Sequence, residues 1–367
     1  MIYHSTPSLN EQDKEALINV YSSGFIAEGP LVSRFEEEIA NFNNIKYACA
    51  VNSGTSALHL ALLALNIEKS DEVILPSYVC TAVLNAVNYV GAIPVLVDTN
   101  IDNPNISYND VEKKLNKKTK VIIIPHMFGL PADINKFVIL RKRYGIPIIE
   151  DLAQSLGASL LVNNIEENNN IPSYKLVGSW GDISIVSFYT TKLMTTSNGG
   201  MVLSDNKYLI DRVRELKDFD QREKYKIRFN YKMTDLQAAL GLSQLSQLAY
   251  FIQKRREIAG IYSSVFSNHS IKYLQSDKDR KSVYYRFIIF TDKAESLIEK
   301  CKKEGVMCIR PVFKPLHRYL GIDGELFANT ENIYKRFVSI PIYPSLDENQ
   351  RDIIIRTLTS LFKEINC

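Results

Sequence analysis

The chain has 367 residues, of which 46% are hydrophobic and 23% charged, the balance of an ordinary globular protein. This length suggests two domains and a core that needs neither disulfides nor metals. The net charge is only +3 and the lysines are spread along the chain, which excludes a concentrated nucleic-acid-binding stripe. No apolar run reaches the roughly 18 residues that span a bilayer, so no membrane segment is predicted.

The cysteines and the N-terminal residues indicate a compartment. Five cysteines form an odd number without metal-ligand spacing, which favours reduced thiols and predicts no metal site. The first residues, MIYHSTPSLNEQDKEAL, lack the apolar core of a secretory leader. We therefore expect a cytoplasmic protein without nucleic-acid or membrane partners.

The first half of the chain begins with helices predicted at 8–21 and 33–42. A short apolar strand at 47–51 then leads through Ser53, Gly54 and Thr55 into a long apolar helix. Free N–H groups and the helix dipole converge at such a helix start, so a phosphate fits there. Neither GxGxxG nor GxxxxGK[ST] is present, which argues against a nucleotide triphosphate. A simple helix cap is the alternative.

Regular alternation of strands and helices follows. Its predicted strands are 72–75, 93–97, 120–125 and 146–150, and its predicted helices are 81–90, 111–115 and 133–144. This pattern predicts a largely parallel sheet with helices on both faces. Ligands collect beyond the carboxyl ends of such strands. The polar stretch 158–179 is predicted to be an exposed excursion.

The segment 181–200, GDISIVSFYTTKLMTTSNGG, presents a lysine in an unusual place. An apolar strand predicted at 183–189 ends in small hydroxylated residues and delivers Lys192, and a second strand is predicted at 201–204. Desolvation at the end of a buried strand favours a neutral, nucleophilic amine, as a Schiff-base lysine requires. From the residues alone, an ordinary surface lysine is the more common alternative.

The C-terminal part has a different composition of elements. A charged and aromatic loop at 217–232 precedes a long helix at 234–258, with Thr234 as its predicted cap. Strands at 284–290 and 307–310 and helices at 294–304 and 348–365 follow. We predict a large domain over 1–245 and a smaller α+β domain over 246–367 packed on it.

In order along the chain, these segments resemble the DegT/DnrJ/EryC1/StrS aminotransferases, and the resemblance covers almost the whole sequence. The matching segments are EGPLVSRFEEEIA, VNSGTSALHLALLAL, DEVILPSY, PVLVD, EDLAQSLGA, GDISIVSFYTTK, GGMVL, NYKMTDLQAALGLSQL, RPVFKPLH and SIPIYPSL. The resemblance implies a pyridoxal 5'-phosphate enzyme of fold type I, with a mostly parallel seven-stranded sheet in the large domain. It also implies a homodimer with a shared active site.

The resemblance assigns roles to individual residues. Lys192 falls at the Schiff-base lysine, Asp151 at the carboxylate facing the pyridine nitrogen, and Gln154 at the glutamine near the ring hydroxyl. An ionised carboxylate there keeps the ring nitrogen protonated and the ring electron-withdrawing. A helix N-cap is the alternative role for Asp151.

Four further residues match the phosphate site of the family. Gly54 and Thr55 lie at the helix start, Ser187 lies on the lysine strand, and Asn230 matches an asparagine that reaches the phosphate from the partner subunit. Ser187 bonded to backbone, and Asn230 as a plain loop residue, are the alternatives.

Substrate contacts are predicted at Glu28, Arg310 and His317. A guanidinium suits the carboxylate of an acid co-substrate or a substrate phosphate, because it binds either anion bidentately. A surface salt bridge is the alternative for Arg310, and a structural role is the alternative for the other two.

The sequence departs from the family pattern at three points that we expect around the pocket. Cys80 stands where many members stack an aromatic ring on the cofactor, with Tyr78 as a compensating ring if the loop shifts. Leu130 replaces a usual glutamine or asparagine, and the loop with Thr195 is unusually rich in hydroxyl groups.

The resemblance implies amino transfer from L-glutamate to a keto group of a nucleotide-linked sugar, through a pyridoxamine phosphate intermediate. The departures leave a smaller phosphorylated ketone as an alternative acceptor. A sugar dehydratase has histidine in place of the lysine, so Lys192 argues against that class. A non-enzymatic regulator needs a DNA-binding module for which the chain has no spare segment.

Overall fold

The computed structural model describes residues 1–162 and 173–366. Its helices are α1 Glu11–Ser23, α2 Pro30–Phe42, α3 Gly54–Ala64, α4 Thr81–Tyr89, α5 Tyr108–Lys114, α6 Ile134–Tyr144, α7 Lys207–Lys217, α8 Asp235–Asn268, α9 Ala294–Lys303, α10 Leu316–Tyr319, α11 Ala328–Arg336 and α12 Glu348–Asn366. None of these described helices is long and apolar enough to cross a membrane.

Its strands are β1 Tyr47–Val51, β2 Glu72–Pro76, β3 Ile93–Val97, β4 Thr99–Asn100, β5 Asn103–Ile106, β6 Thr119–Pro125, β7 Ile148–Asp151, β8 Ser159–Val162, β9 Ser173–Leu176, β10 Ile183–Ser187, β11 Gly200–Ser204, β12 Arg280–Lys281, β13 Phe287–Phe290 and β14 Phe337–Ile340. The largest sheet has the order β1-β11-β10-β7-β6-β2-β3. Only β11 in this sheet runs antiparallel to its neighbours. The predicted mostly parallel, seven-stranded sheet is therefore confirmed.

Helices cover both faces of this sheet, which explains the continuous apolar runs of its strands. Ile185 of β10 packs in the cluster that contains α3 and α4, whereas its neighbour Val186 packs in the cluster that contains α2 and α8. Because β11 runs antiparallel to both β1 and β10, those two strands point the same way. Their carboxyl ends therefore lie at one edge of the sheet, together with that of β7.

Two helix starts show how the layers are fixed together. Thr234 caps α8, as predicted, in a capping box with Gln237. The helix α2 begins at Pro30, earlier than the predicted start at 33, because Asp235 of α8 supplies the cap. Its carboxylate accepts hydrogen bonds from the N–H groups of Gly29 and Val32 at 2.9 and 3.0 Å.

The C-terminal part has its own core around the antiparallel pair β13–β14 and the helices α9 and α12. The predicted boundary between 245 and 246 falls inside α8, whose Leu248 packs with α2 and whose Phe266 packs in the C-terminal core. Ile2 also joins that core. The strand predicted at 307–310 is not formed, since Ile309 makes only a single bridge to Ser339.

The predicted polar excursion at 158–179 contains regular structure at its two ends. The strands β8 and β9 pair antiparallel, and β12 adds to the edge of β8. Leu160 of β8 is buried in a core cluster with residues of β6 and α6, which anchors this small sheet to the protein. Residues 163–172 of the excursion lie outside the described residues.

Candidate active site

A cavity of about 270 Å³ opens at the carboxyl ends of β1, β7 and β10. Six residues predicted from the sequence line it, namely Gly54, Thr55, Cys80, Asp151, Ser187 and Lys192. They come from four separate stretches of the chain. The sheet order brings these stretches to one edge because parallel strands end on the same side.

Lys192 lies in a turn after β10, not on the strand itself. The strand was predicted to reach residue 189 but ends at Ser187, where the chain turns and the Lys192 N–H donates to the Tyr189 carbonyl at 2.8 Å. The side chain is half-buried and its Nζ lies 5.4 Å from the centroid of the Tyr285 ring. No carboxylate of the described residues lies within 4.0 Å of this amine, so the surface ion pair typical of lysines is absent there.

Asp151 is the last residue of β7 and is buried. Its Oδ1 accepts a hydrogen bond from the Ala153 N–H at 2.9 Å, and Oδ2 accepts none from the described residues. Burial raises the pKa of Asp151, although the charge of Lys192 acts in the opposite direction. The carboxylate therefore has an oxygen available for a cationic ligand in the cavity.

Glu150 precedes Asp151 on β7 and has a structural role. It is fully buried and accepts hydrogen bonds from the N–H groups of Gly178, Trp180 and Gly181 at 2.7 to 2.8 Å and from His126 Nε2 at 3.1 Å. Burial raises the pKa of Glu150, but His126 and the backbone donors outweigh it and lower the pKa. Alternation along β7 sends this side chain to the face opposite the cavity.

The predicted phosphate site forms where α3 meets β10. The helix begins at Gly54, and Ser53 caps it by accepting from the Ser56 N–H at 3.1 Å. A Cβ atom on Gly54 would lie 2.8 Å from the Cβ and 3.1 Å from the Oγ of Ser187, so a larger residue does not fit. Unpaired first-turn N–H groups and the hydroxyls of Thr55 and Ser187 therefore share one edge of the cavity.

These groups fit pyridoxal 5'-phosphate. An amine without an ion pair, a buried carboxylate with an open oxygen and a helix start suit its aldehyde, ring nitrogen and phosphate. The three groups lie around a single cavity. If they were only a helix cap, a surface lysine and a strand-end aspartate, they would have no reason to lie together.

Cys80 lies directly before α4 and is exposed at the cavity. Its side chain makes no capping hydrogen bond to that helix. The protein packed around the thiol raises the pKa of Cys80, with Lys192 opposing. Tyr78 does not compensate for the missing aromatic ring, because it is fully buried against Phe128 and Phe337.

Gln154, Leu130 and Thr195 do not line the cavity. The Gln154 side chain accepts a hydrogen bond from the Phe128 N–H at 2.8 Å, so in this structure it fixes the turn at 127–129. Leu130 and Thr195 are buried in the protein. Cys80 lines the cavity, and so does the loop after Lys192, through Asn198 and Gly199. The expectation that all three departures from the family pattern surround the pocket is therefore wrong for Leu130 alone.

Two of the predicted substrate residues are engaged in ion pairs outside the cavity. Glu28 lies 2.5 Å from Nζ of Lys217, whose side chain is buried. Arg310 pairs with Glu295 at 2.8 Å and donates to the carbonyls of Tyr334 and Lys335 at the end of α11. These contacts match the structural alternatives.

His317 is also outside the cavity and fully buried. Its Nε2 donates to Glu331 at 2.9 Å, its Nδ1 lies 2.7 Å from Ser77 Oγ, and its ring stacks on Phe327 at 4.6 Å. Since Ser77 follows β2 and Glu331 lies on α11, the imidazole joins the sheet to the C-terminal part.

Asn230 is exposed and does not line the cavity of its own chain. Its carbonyl accepts a hydrogen bond from Asn52 Nδ2 at 3.2 Å, and the Asn52 N–H donates to the Tyr231 carbonyl at 2.8 Å. The loop is thus held beside the residues that open the phosphate site.

Sequence analysis missed two tyrosines near the amine. Tyr189 lines the cavity, and Tyr285 is 7% exposed with its ring facing Lys192. Tyr189 falls within the predicted strand and could have been found from its distance to the lysine. Nothing local marks Tyr285, because it lies about ninety residues further along and only the tertiary fold brings it there.

Comparison with known proteins identifies the family. The model of the DegT/DnrJ/EryC1/StrS aminotransferase family matches residues 7–359. The chain is 34% identical over 369 residues to GDP-perosamine synthase of Escherichia coli O157:H7, covering 98% of each protein. It is also similar to a putative sugar aminotransferase of Streptococcus pneumoniae in its PMP form, with 25% identity, a TM-score of 0.90 and coverage of 99% and 98%.

A second solved structure gives the same result. Helicobacter pylori PseC, an aminotransferase involved in the biosynthesis of pseudoaminic acid, has 26% identity, a TM-score of 0.87 and 99% coverage of both chains. Family match, sequence identity and fold therefore all point to one class. The chain belongs to the DegT/DnrJ/EryC1/StrS aminotransferase family and is a pyridoxal-phosphate-dependent aminotransferase of fold type I.

Proposed function

We propose that this aminotransferase moves the amino group of L-glutamate to the keto group of a nucleotide-linked sugar, with Lys192 as the Schiff-base lysine. The observation that carries this proposal is the cavity shared by Lys192, Asp151 and the helix start at Gly54. Two curated relatives named GDP-perosamine synthase, at 34% and 31% identity, favour a GDP-linked sugar as the acceptor.

Each side chain has a task that follows from its position. Bound pyridoxal phosphate supplies an electron-withdrawing ring that stabilises negative charge on the substrate carbon. With its open oxygen, Asp151 would hold the protonated ring nitrogen. Thr55, Ser187 and the first turn of α3 would hold the phosphate. Lys192 would supply the amine that binds the cofactor aldehyde and the base that moves the proton at the substrate carbon.

A smaller phosphorylated ketone is the second candidate acceptor. It was suggested by three departures from the family pattern, of which Cys80 and the loop after Lys192 line the cavity. A thiol leaves more room over the cofactor ring than the usual aromatic side chain. This observation supports the smaller phosphorylated ketone as the alternative acceptor. A dehydratase is disfavoured because Lys192 lines the cavity at the position where that class has histidine. A regulator has no comparable support.

We further propose a cytoplasmic homodimer in which Asn230 completes the partner's phosphate site. The support is that Asn230 lies outside the cavity of its own chain, on a loop with strongly exposed apolar side chains. Tyr225 is 93% and Ile227 73% exposed, and Phe25 is 78% exposed. A second copy of the chain would cover such residues.

The first experiment separates the two half-reactions. Protein loaded with pyridoxal phosphate is incubated with L-glutamate, and 2-oxoglutarate is measured. The aminated protein is then offered GDP-linked keto-sugars, other keto-sugar nucleotides and small keto-phosphates in parallel. Amination of a nucleotide sugar supports the proposal, and amination of keto-phosphates alone establishes the alternative. Failure to form 2-oxoglutarate contradicts glutamate as the donor.

The second experiment tests the shared site by mixing two inactive variants. In a heterodimer of Lys192→Met and Asn230→Ala chains, one site combines an intact Lys192 with an intact Asn230 from the other chain. Activity should therefore recover on mixing if Asn230 acts across the interface. If Asn230 acts within its own chain, neither site is complete and mixing restores nothing.

A further inference from the structure

Tyr285 stands where the C-terminal part of the chain meets the cavity. It lies just before β13 and is 7% exposed. Two cations face its ring, since the ring centroid is 5.4 Å from Lys192 Nζ and 5.2 Å from Arg286 Cζ. Its hydroxyl lies 3.4 Å from the hydroxyl of Thr191, the residue before the lysine. Tyr285 therefore contacts both the amine and the turn that carries it.

The backbone at Tyr285 is held from α8. Arg255 is 3% exposed and its Nη1 donates to the carbonyl of Ile342 at 2.8 Å and to the carbonyls of Tyr284 and Tyr285 at 3.4 Å. This buried guanidinium ties the segment before β13 to the segment after β14. The tyrosine is thus a fixed surface against which Lys192 lies, not a mobile side chain.

Positively charged side chains surround Tyr285. Among the described residues, no carboxylate lies within 4.0 Å of Lys192, Arg255 or Arg286. His4, 3.1 Å from Arg286 Nη1, supplies no negative charge, and burial and the two arginines hold the pKa of His4 well below its usual range. Lys192 also faces two other acidic groups of the cavity, Asp151 and the thiol of Cys80. The hydroxyl of Tyr285 is the acidic group on which Lys192, Arg286 and Arg255 act together.

Those cations change the titration of Tyr285. Burial raises the pKa of Tyr285, but Lys192, Arg286, the hydrogen bond with Thr191 and Arg255 outweigh it and lower the pKa to about 8. An ordinary tyrosine ionises near pH 10. Above about pH 8 the hydroxyl therefore becomes an anion beside the Lys192 amine, and below it the neutral ring still faces the amine.

We propose that Tyr285 is a positioning residue for Lys192, holding the amine against the face of its ring. This inference rests on the proposed function only in taking Lys192 as the lysine that bonds the cofactor. Cations prefer the face of an aromatic ring, so the contact restricts where Nζ can lie. A restricted amine meets the cofactor aldehyde in a productive orientation more often.

The first test uses cofactor-free protein and follows tyrosinate absorbance as the pH is raised. One tyrosine should ionise near pH 8. Tyr285→Phe should remove that step, and Lys192→Met should move it to higher pH because a neighbouring cation is lost. The matched control, Tyr189→Phe, removes a tyrosine that also lines the cavity and should leave the step in place. A titration without a step near pH 8, or a step that Lys192→Met does not move, overturns the proposal.

The second test counts covalent attachment rather than turnover. Each variant is loaded with pyridoxal phosphate and reduced with borohydride, and the intact mass gives the fraction of chains that carry the cofactor on Lys192. Tyr285→Phe keeps the ring and should trap as much as the wild type near neutral pH, whereas Tyr285→Leu should trap less than half. Equal trapping by the leucine variant overturns the positioning role.

The two tests separate the inference from the function it builds on. If the wild type traps no cofactor on Lys192, the proposed role of that lysine fails, and the titration still decides whether Tyr285 and Lys192 are electrostatic partners. If Tyr285→Leu does not fold, Tyr285→Phe and Lys192→Met carry the decision, because neither removes a packed aromatic ring.

Discussion

The residues predicted at the sheet edge line the cavity, whereas those predicted on the C-terminal loops do not. At the edge, Lys192, Asp151 and Gly54 line one cavity although they come from distant parts of the chain. Away from it, Arg310 is held by an ion pair and carbonyl contacts, His317 is held by hydrogen bonds, and both lie outside the cavity. Residues at strand ends are placed by topology, whereas a polar residue on a loop is often already occupied in holding the fold.

Neighbouring carboxylates on β7 show the same contrast within one strand. Glu150 takes four hydrogen bonds on the covered face, and Asp151 takes one beside the cavity. Their sequence positions differ by one residue, but alternation of side chains sends them to opposite faces. A fully hydrogen-bonded carboxylate stabilises the fold, and a partly bonded one is available to a ligand.

The largest effect is expected at the sheet edge, from Lys192→Met. The variant should lose covalent attachment of the cofactor, and its kcat should fall by at least about 10²–10⁴-fold because the proton at the substrate carbon has no carrier. Folding should be unchanged, since the half-buried amine makes no ion pair with a described residue. Borohydride trapping and steady-state kinetics measure both effects. Lys207→Met, at an exposed lysine paired with Asp211, is the control and should leave both intact.

Glu150→Ala should be the most destabilising change on β7. It leaves the N–H groups of Gly178, Trp180 and Gly181 without their acceptor. Each unsatisfied buried donor costs about 1–3 kcal/mol, so the total loss should reach at least about 3 kcal/mol. Urea unfolding measures the loss. A loss below about 1 kcal/mol would contradict the structural role assigned to this carboxylate.

The wild type should also lose the contribution of Glu150 in acid. Because the folded pKa of Glu150 is lowered, its contribution is complete above the usual carboxyl pKa and disappears as the pH falls through the folded value. The alanine variant should therefore lose less stability than the wild type over the same acidic range. Unfolding measured at a series of pH values tests the sign.

Asp151→Asn should give the opposite result, with a functional loss and little structural cost. The amide keeps the shape and the Ala153 hydrogen bond, and burial already disfavours the charge that is removed. A hydrogen bond to a charged group contributes about 1.5–3 kcal/mol, so cofactor affinity should fall about 10- to 100-fold. Equilibrium dialysis of pyridoxal phosphate measures the affinity. Unchanged affinity would show that Asp151 does not face the ring nitrogen.

The smallest effect is expected from Arg310→Met on the C-terminal loops. The substitution removes the pair with Glu295 and the hydrogen bonds to two carbonyls of α11, so stability should fall by about 1–2 kcal/mol. The KM for glutamate should not change. A tenfold rise in that KM with normal stability would restore the substrate role and weaken the contrast between the two regions.

The fold class could be predicted from the sequence alone, and the family resemblance added the cofactor and six residues that line the cavity. Continuous apolar runs alternating with helices require a parallel sheet, and polar residues at Asp151, Ser187 and Gly54 follow those strands directly. These signals come from short stretches of sequence, so they can be identified without knowing how the side chains pack. The order of the family segments then supplied the chemistry.

Which polar residues remain available to a ligand depended on tertiary contacts. Glu28 pairs with Lys217, 189 residues along the chain, whereas Arg310 and His317 contact Glu295 and Glu331 on separate helices. Such pairs leave no mark in local patterns. Tyr285 came to the amine for the same reason, because the fold brings the start of β13 against the turn after β10. Side-chain contacts over such separations depend on packing, which periodicity and spacing do not encode.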